Sequence, residues 1–136
     1  MLEERIVTLK RDIVEYASIV ENMVEKSMRA LFQKERSPLD EVIEKDEPVA
    51  NEREIKIDED CTTMIAQFQP KAGNLRTILM IMKMNNDLER IADHAVNIAQ
   101  SSLFLIERPL VKPYIDLPKI SENVIRMLKD SINSFI

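Results

Sequence analysis

One glycine, Gly73, occurs in 136 residues, together with one cysteine, one histidine, no tryptophan, and aromatic residues at only 4%. Sheets and tight hairpins draw heavily on glycine, so this scarcity argues against a β-rich fold. A lone cysteine, Cys61, cannot form an internal disulfide. The amino terminus, Met1-Leu2-Glu3-Glu4-Arg5, has no apolar signal core, and no run approaches the roughly 18 apolar residues that a membrane span needs. These features lead us to expect a soluble protein of a reducing cytoplasm. An excess of positive charge is also missing. Nineteen basic and 24 acidic side chains give a net charge of -5 with the signs interleaved, which argues against nucleic acid as a partner.

What is present favours long helices: Leu, Ile, Val, Met, Glu and Lys dominate, and the length suits one domain with a real core while leaving no room for a second large one. Between about Glu4 and Phe32, apolar or small residues recur every three or four positions (Ile6, Leu9, Ile13, Tyr16, Val20, Met23, Ser27, Ala30), the seam of a single helix. Ser37-Pro38-Leu39-Asp40 follows with an N-cap hydroxyl and a proline suited to the first turn, predicting a second helix that begins there. Its seam runs from Ile43 through Glu47, Ala50, Glu54, Ile57, Cys61 and Met64 to Phe68, and Gln69-Pro70 ends it. Pro48 lies inside this segment and should kink it beside Glu47 or delay its regular start. A third helix carries two apolar stripes. One passes through Leu75, Ile78, Met82, Asn85, Glu89, Ala92 and Val96, and the other through Ile81, Leu88 and Ala95. A helix apolar on two sides belongs at the centre of a bundle.

Pro109, Pro113 and Pro118 then mark a stiff connector, after which Asp116 is placed to cap a fourth helix. Met127 to Ile136 aligns without gaps on Met23 to Phe32 with the apolar pattern kept, as the opening of a second copy of the first helix would. The expected fold is all-α: an antiparallel bundle of three long helices over 1–107, a connector over 108–118, and the first helix of an incomplete second repeat over 119–136.

Carboxylates interrupt two of these seams. A charge held between helices costs several kcal/mol unless a partner compensates it. The second helix offers Glu47, Asn51 and Glu54; the third offers Glu89, Asp93 and Asn97. Residues four apart share a helix face and can hold one ion or adjacent ions. A turn centred near residue 72 would set Asn51 opposite Asp93. Oxygen donors without Cys or a His pair suit Mg²⁺, Ca²⁺, Mn²⁺ or iron far better than a structural Zn site. On spacing alone the commoner outcome is that these acids are solvated or paired with Arg53, Arg76 or Arg90. His94 lies about 100° around the helix from Asp93 and reads as a surface or structural residue, and Cys61 as inert core. The eight methionines read as ordinary core filler. Arg76 is expected to pair with a seam acid or to cap the turn.

Asn86-Asp87-Leu88-Glu89-Arg90-Ile91-Ala92-Asp93-His94-Ala95-Val96-Asn97-Ile98-Ala99 resembles the signature of the PhoU family, usually written Asp-Leu-Glu-Arg-Ile-Gly-Asp-His-Ala followed by Asn-Ile-Ala. Val42-Ile43-Glu44-Lys45-Asp46-Glu47, the Ile57 to Cys61 stretch, and Gln69-Pro70 leading to Leu75-Arg76 support it in family order. The resemblance implies a metal site built from a Glu/Asp-x-x-x-Asp pair on each of two helices, which in some members holds multinuclear iron clusters. By position these pairs are Glu47 with Asn51 and Glu89 with Asp93. Asn51 departs from the acidic form and is a weaker ligand, with Asp46 or Glu54 available in its place; Ala92 replaces the usual glycine.

The resemblance further implies a cytoplasmic, non-enzymatic adaptor that restrains phosphate uptake and signals phosphate sufficiency. Its implied partners are the ATP-binding subunit of the phosphate transporter and the phosphate-sensing histidine kinase. The competing readings are an oligomerising bundle without metal and a di-iron carboxylate oxidase. The oxidase needs a Glu-x-x-His from each of two helices, whereas Ile91 stands three residues before the single histidine. Family members usually carry two three-helix repeats, so this chain reads as a fragment or a shortened protein. The apolar side of its last segment (Ile120, Val124, Met127, Ile132, Phe135) is expected to lack internal partners and to drive self-association into a homo-oligomer.

Overall fold

The computed structural model describes all residues, 1–136, and contains helices and no strands. The elements are α1 (Leu2–Gln33), α2 (Arg36–Glu41), a π-helical turn (Val42–Asp46), α3 (Glu47–Phe68), α4 (Ala72–Leu105) and α5 (Asp116–Phe135). Every residue of the α1 seam named above is buried, with Ile13, Val20, Met23 and Ser27 wholly inaccessible. Burying each large side chain stabilises the bundle by roughly 1.5–3 kcal/mol. Ala50, Ile57, Cys61 and Met64 line the facing seam of α3. Both stripes of α4 are buried, with Ile78, Asn85 and Ala99 on one and Ile81, Leu88 and Ala95 on the other, so α4 occupies the central position its pattern requires.

The three long helices run up, down and up. Arg5 near the start of α1 donates to Gln67 Oε1 at 3.0 Å and stacks its guanidinium 5.5 Å from the Phe68 ring, joining the first turn of α1 to the last of α3. At the other end Leu31 and Leu105 line one groove, so α1 and α4 point the same way. The fourth long helix, α5, runs down again: Tyr114, just before it, packs its ring 5.9 Å from Phe32 at the end of α1. Lys129, further along, bridges Glu25 at 3.1 Å and Glu21 at 3.5 Å.

Local structure departs from expectation at four places. First, Ser37 caps nothing. Lys34 adopts the left-handed conformation, with φ 55° and ψ 45°. Its N–H reaches Leu31 O, and that of Glu35 reaches Ala30 O, the paired bonds of a Schellman ending. The chain then has one extended residue, Glu35, before helix resumes at Arg36, so the start falls ahead of Ser37. Second, the region of Pro48 contains a π turn. A proline ring collides with the carbonyl four residues before it and supplies no N–H. Widening the preceding turn, with the Glu47 N–H bonded to Val42 O, absorbs the mismatch. Lys26 reaches across this turn to Asp46 at 2.8 Å and Glu41 at 3.5 Å. Third, Asp116 is the first helical residue of α5 and not its cap, a position taken by Ile115; its charge still opposes the positive helix end. The connector between α4 and α5 is therefore 106–115, and Pro118 falls within the first turn of α5. Fourth, Ile132 and Phe135 are half-buried against the core, together with Ile125 and Leu128. Only the Ile120, Val124 and Met127 side of α5 stands without a partner.

Candidate functional site

Four polar side chains from three helices lie in one region of the bundle, with Glu54 and Glu89 half-buried and Asp93 exposed at the rim. Tyr16 on α1 is 1% exposed. Burial, and then the negative charges of Glu54, Glu89 and Asp93, push its hydroxyl well above its ordinary titration range. One carboxylate from α3 and two from α4 are thus near enough for their charge to act on it. Glu54 itself is raised by burial and by Asp58 one turn further along. Glu89 is raised by burial first and then by the charge and hydrogen bonding of Asp93 and by Glu54; Arg90 opposes these effects. In each case burial is the larger cause and neighbouring negative charge the smaller.

No arginine or lysine is bound to this cluster. Arg53 is committed to Glu15 on α1 at 3.0 Å, and Lys56 to Asp60 at 2.8 Å. Arg76 makes no ion pair, and none of Glu47, Glu54, Glu89 or Asp93 takes part in one. Pairing with arginine, the simplest neutralisation that the sequence offered, is therefore not how the charge is handled.

The register between α3 and α4 explains which residues meet. Asn85 Nδ2 donates to the main-chain O of Glu54 at 2.9 Å, which sets residues 54 and 85 side by side. The turn spans Gln69 to Lys71 between the end of α3 at Phe68 and the start of α4 at Ala72, so its centre is Pro70 and not residue 72. On that centre Glu54 stands level with Asn85 and Asn86, Asn51 level with Glu89, and Glu47 level with Asp93. Asn51 is exposed and Glu47 half-buried at the edge of the seam, and Asp93 is exposed at the rim. Of the four residues expected to hold metal, Glu89 and Asp93 adjoin one another on α4, and Glu47 and Asn51 stand at the same levels on α3, with Glu54 and Tyr16 nearby. Tyr16 was legible only as a core residue, because a seam tyrosine carries no sign of what its hydroxyl faces.

Carboxylate oxygens are the donors that a hard cation prefers. No three His, Cys, Asp or Glu side chains, however, are gathered closely enough to share one ion. Asn85 Oδ1, buried and without a hydrogen-bond partner, is a further oxygen donor left unused one turn before Glu89. His94 is exposed and borders a groove between α1, α4 and α5. Cys61 is wholly buried, and burial followed by the charges of Asp58 and Asp60 pushes its thiol up to about 11, so it is inert as a nucleophile. No helix is long and apolar enough to cross a membrane.

Comparison with known proteins follows the same residues. The PhoU domain family matches residues 13–102, a span that includes every residue of the acidic seam. The chain is 39% identical over 127 residues to the phosphate-specific transport system accessory protein PhoU homolog of Aquifex aeolicus, covering 93% of this chain and 57% of that protein. It is 29% identical over 135 residues to PhoU homolog 2 of Thermotoga maritima, covering 99% of this chain and 57% of that protein. Against the phosphate-specific transport system accessory protein PhoU of Escherichia coli it is 29% identical over 128 residues, 94% of this chain and 53% of that protein. The chain thus spans little more than half the length of these relatives.

Proposed function

Because this chain belongs to the PhoU family, as an accessory and regulatory protein of phosphate transport, we propose that it is a metal-binding, cytoplasmic negative regulator of phosphate uptake and phosphate-starvation signalling. In this reading it is an adaptor and not an enzyme. Its partners are the ATP-binding subunit of the phosphate transporter and the phosphate-sensing histidine kinase. The observation that carries the metal half of the reading is that Glu54, Glu89 and Asp93 are gathered near the buried Tyr16 with none of them in an ion pair. A hard cation would neutralise these acids where no basic side chain does, and would clamp α3 to α4. Glu89 and Asp93 are its ligands from α4; Glu47 and Asn51, or Glu54, supply the α3 side. Because the side chains do not converge on one point, loading requires the rim residues Asp93 and Asn51 to turn inward, which their exposure permits. Mg²⁺, Mn²⁺, Ca²⁺ and iron, alone or as a cluster, match the donors, with Zn²⁺ a poorer fit.

A second reading, a bundle that binds no metal and functions through its surfaces, is favoured by the lack of any ready-made three-ligand set. Elemental analysis after mild purification and after reconstitution separates the two, with the chain compared against a Glu89→Ala, Asp93→Ala double variant. Stoichiometric metal and a higher melting temperature in the wild type, both lost in the variant, are expected. Wild-type protein that stays metal-free after reconstitution, or a variant that loads equally well, refutes the metal site. A Glu54→Ala variant beside a Glu47→Ala, Asn51→Ala variant then identifies the ligands on α3. For the adaptor role, the purified chain is tested for binding to the transporter's ATP-binding subunit and to the kinase, and failure to bind either refutes it.

A further inference from the structure

Asn85 lies wholly buried on α4, and its two polar atoms are in different situations. Its Nδ2 is spent on the main-chain oxygen of Glu54 at 2.9 Å, whereas its Oδ1 is buried and accepts no hydrogen bond. Leaving a buried acceptor unmet is costly, so a ligand that takes an oxygen donor is favoured there. We propose that one hard divalent cation binds at this inner level of the seam, held by Asn85 Oδ1 together with the carboxylates of Glu54 and Glu89. The placement rests on the reading of the seam as a cation site. It moves the ion inward from Glu47, Asn51 and Asp93, and of the four residues in the family pairs it keeps only Glu89.

Position, charge and donor chemistry agree on this level. The bond from Asn85 puts Glu54 beside it, and Glu89 stands one turn further along α4, near enough for the charge of Glu54 to raise its carboxyl. Both acids are half-buried, so an ion reaches them from the rim, and neither takes part in an ion pair. Their two negative charges balance a single divalent ion. A side-chain amide oxygen is an ordinary ligand of hard cations, in a shell that water completes, whereas a structural Zn²⁺ site would draw on Cys or His. The outer end of α3 has less to offer. Asn51 is exposed and neutral, and Asp46 is held by Lys26 at 2.8 Å, which leaves Glu47 alone.

Tyr16, buried on α1 near the same acids, makes the placement measurable. Tb³⁺ seeks the oxygen donors that Ca²⁺ uses, and it luminesces when a neighbouring tyrosine passes it excitation energy. The chain has no tryptophan, and its other tyrosine, Tyr114, packs on Phe32 at the end of α1, several helical turns away. Tb³⁺ added to the 136-residue chain should therefore give tyrosine-sensitised emission that excess Ca²⁺ removes. Tyr16→Phe should abolish the emission while calorimetry shows Ca²⁺ still bound. Asn85→Leu and Glu54→Gln should each weaken Ca²⁺ binding by about tenfold or more, with the helical circular dichroism unchanged. Asn85→Asp, which adds a charged donor at the same place, should bind more tightly than the wild type. Glu47→Ala with Asn51→Ala should leave both emission and affinity in place. Binding that survives Asn85→Leu but is lost with Glu47 and Asn51, or emission that persists in Tyr16→Phe, would overturn the inner placement and leave the cation reading standing. A wild-type chain that takes up neither Tb³⁺ nor Ca²⁺ also overturns the placement, and the elemental analysis above then decides the cation reading by itself.

Discussion

Asn85 on α4 donates its side-chain amide to the main-chain oxygen of Glu54 on α3 at 2.9 Å, while its own Oδ1 is buried with no partner. This half-satisfied amide joins α3 to α4 in the register seen here, one turn before Glu89. A polar group retained in a helical seam at a cost in stability is a known device for choosing one alignment over its neighbours.

Asn85→Leu is therefore expected to change stability by no more than about 1 kcal/mol, because the orphaned oxygen is removed along with the hydrogen bond. Asn85→Asp should cost about 3 kcal/mol at neutral pH by placing an unpaired charge in the same position, and should recover in acid. Urea unfolding of the three proteins at two pH values checks both; equal losses for Leu and Asp would disprove the account.

The raised carboxyls of Glu89 and Glu54 make stability depend on pH in a definite direction. A carboxyl whose folded-state value lies above the ordinary one binds protons more tightly in the folded chain. Stability therefore rises as pH falls through the raised value toward the ordinary one, and declines as pH rises above it. The metal-free protein should accordingly melt higher just above the ordinary glutamate range than at pH 7, before protonation of the surface ion pairs reverses the trend. Glu89→Gln should flatten that slope and add about 0.5 kcal/mol at pH 7, the scale of a like-charge pair four residues apart on a helix. A melting temperature for Glu89→Gln below that of the wild type at pH 7, without metal, would contradict it.

Left-handed backbone falls on residues with side chains at three positions, Lys34, Gln69 and Ala72, and the one glycine does not occupy any of them. An L-residue in that conformation costs roughly 1–2 kcal/mol, most of which glycine escapes. Lys34 is exposed and makes no ion pair, so Lys34→Gly should stabilise the bundle by about 1 kcal/mol. Chemical denaturation measures the gain, and a loss would mean that the Lys34 side chain contributes something its exposure does not reveal.

Periodicity carried most of the fold. The α1 seam, the α3 seam and the two-sided α4 were all legible, because burial on a helix repeats every three to four residues and the chain keeps to that pattern without glycine breaks. Helix boundaries were less so. Ser37 and Asp116 have the chemistry of caps, yet the left-handed Lys34 and the connector geometry set where the helices begin. The π turn was visible only as the disturbance that Pro48 must cause, since widening a turn and kinking it both relieve the same clash. At the site, Glu89 and Asp93 were legible from their spacing. The turn centre lies two residues earlier than the spacing suggested, which moves the residue facing Asp93 by about one helical turn, from Asn51 to Glu47. Tyr16 was legible only as a core residue, because what its hydroxyl faces depends on which groups other helices bring to it.

Burial is distributed unevenly along the chain. Eleven residues of α1 are buried, whereas α5 has one, Ser121, and otherwise rests on α1 through half-covered side chains and the Lys129 ion pairs. The two are separated by almost the whole sequence, so the contact between α1 and α5 carries a large loop-closure cost. It is also free to detach first. In one copy its amide protons would exchange with solvent by local opening rather than by global unfolding. The last helix is thus expected to open more readily than the three-helix body, leaving the acidic seam in place.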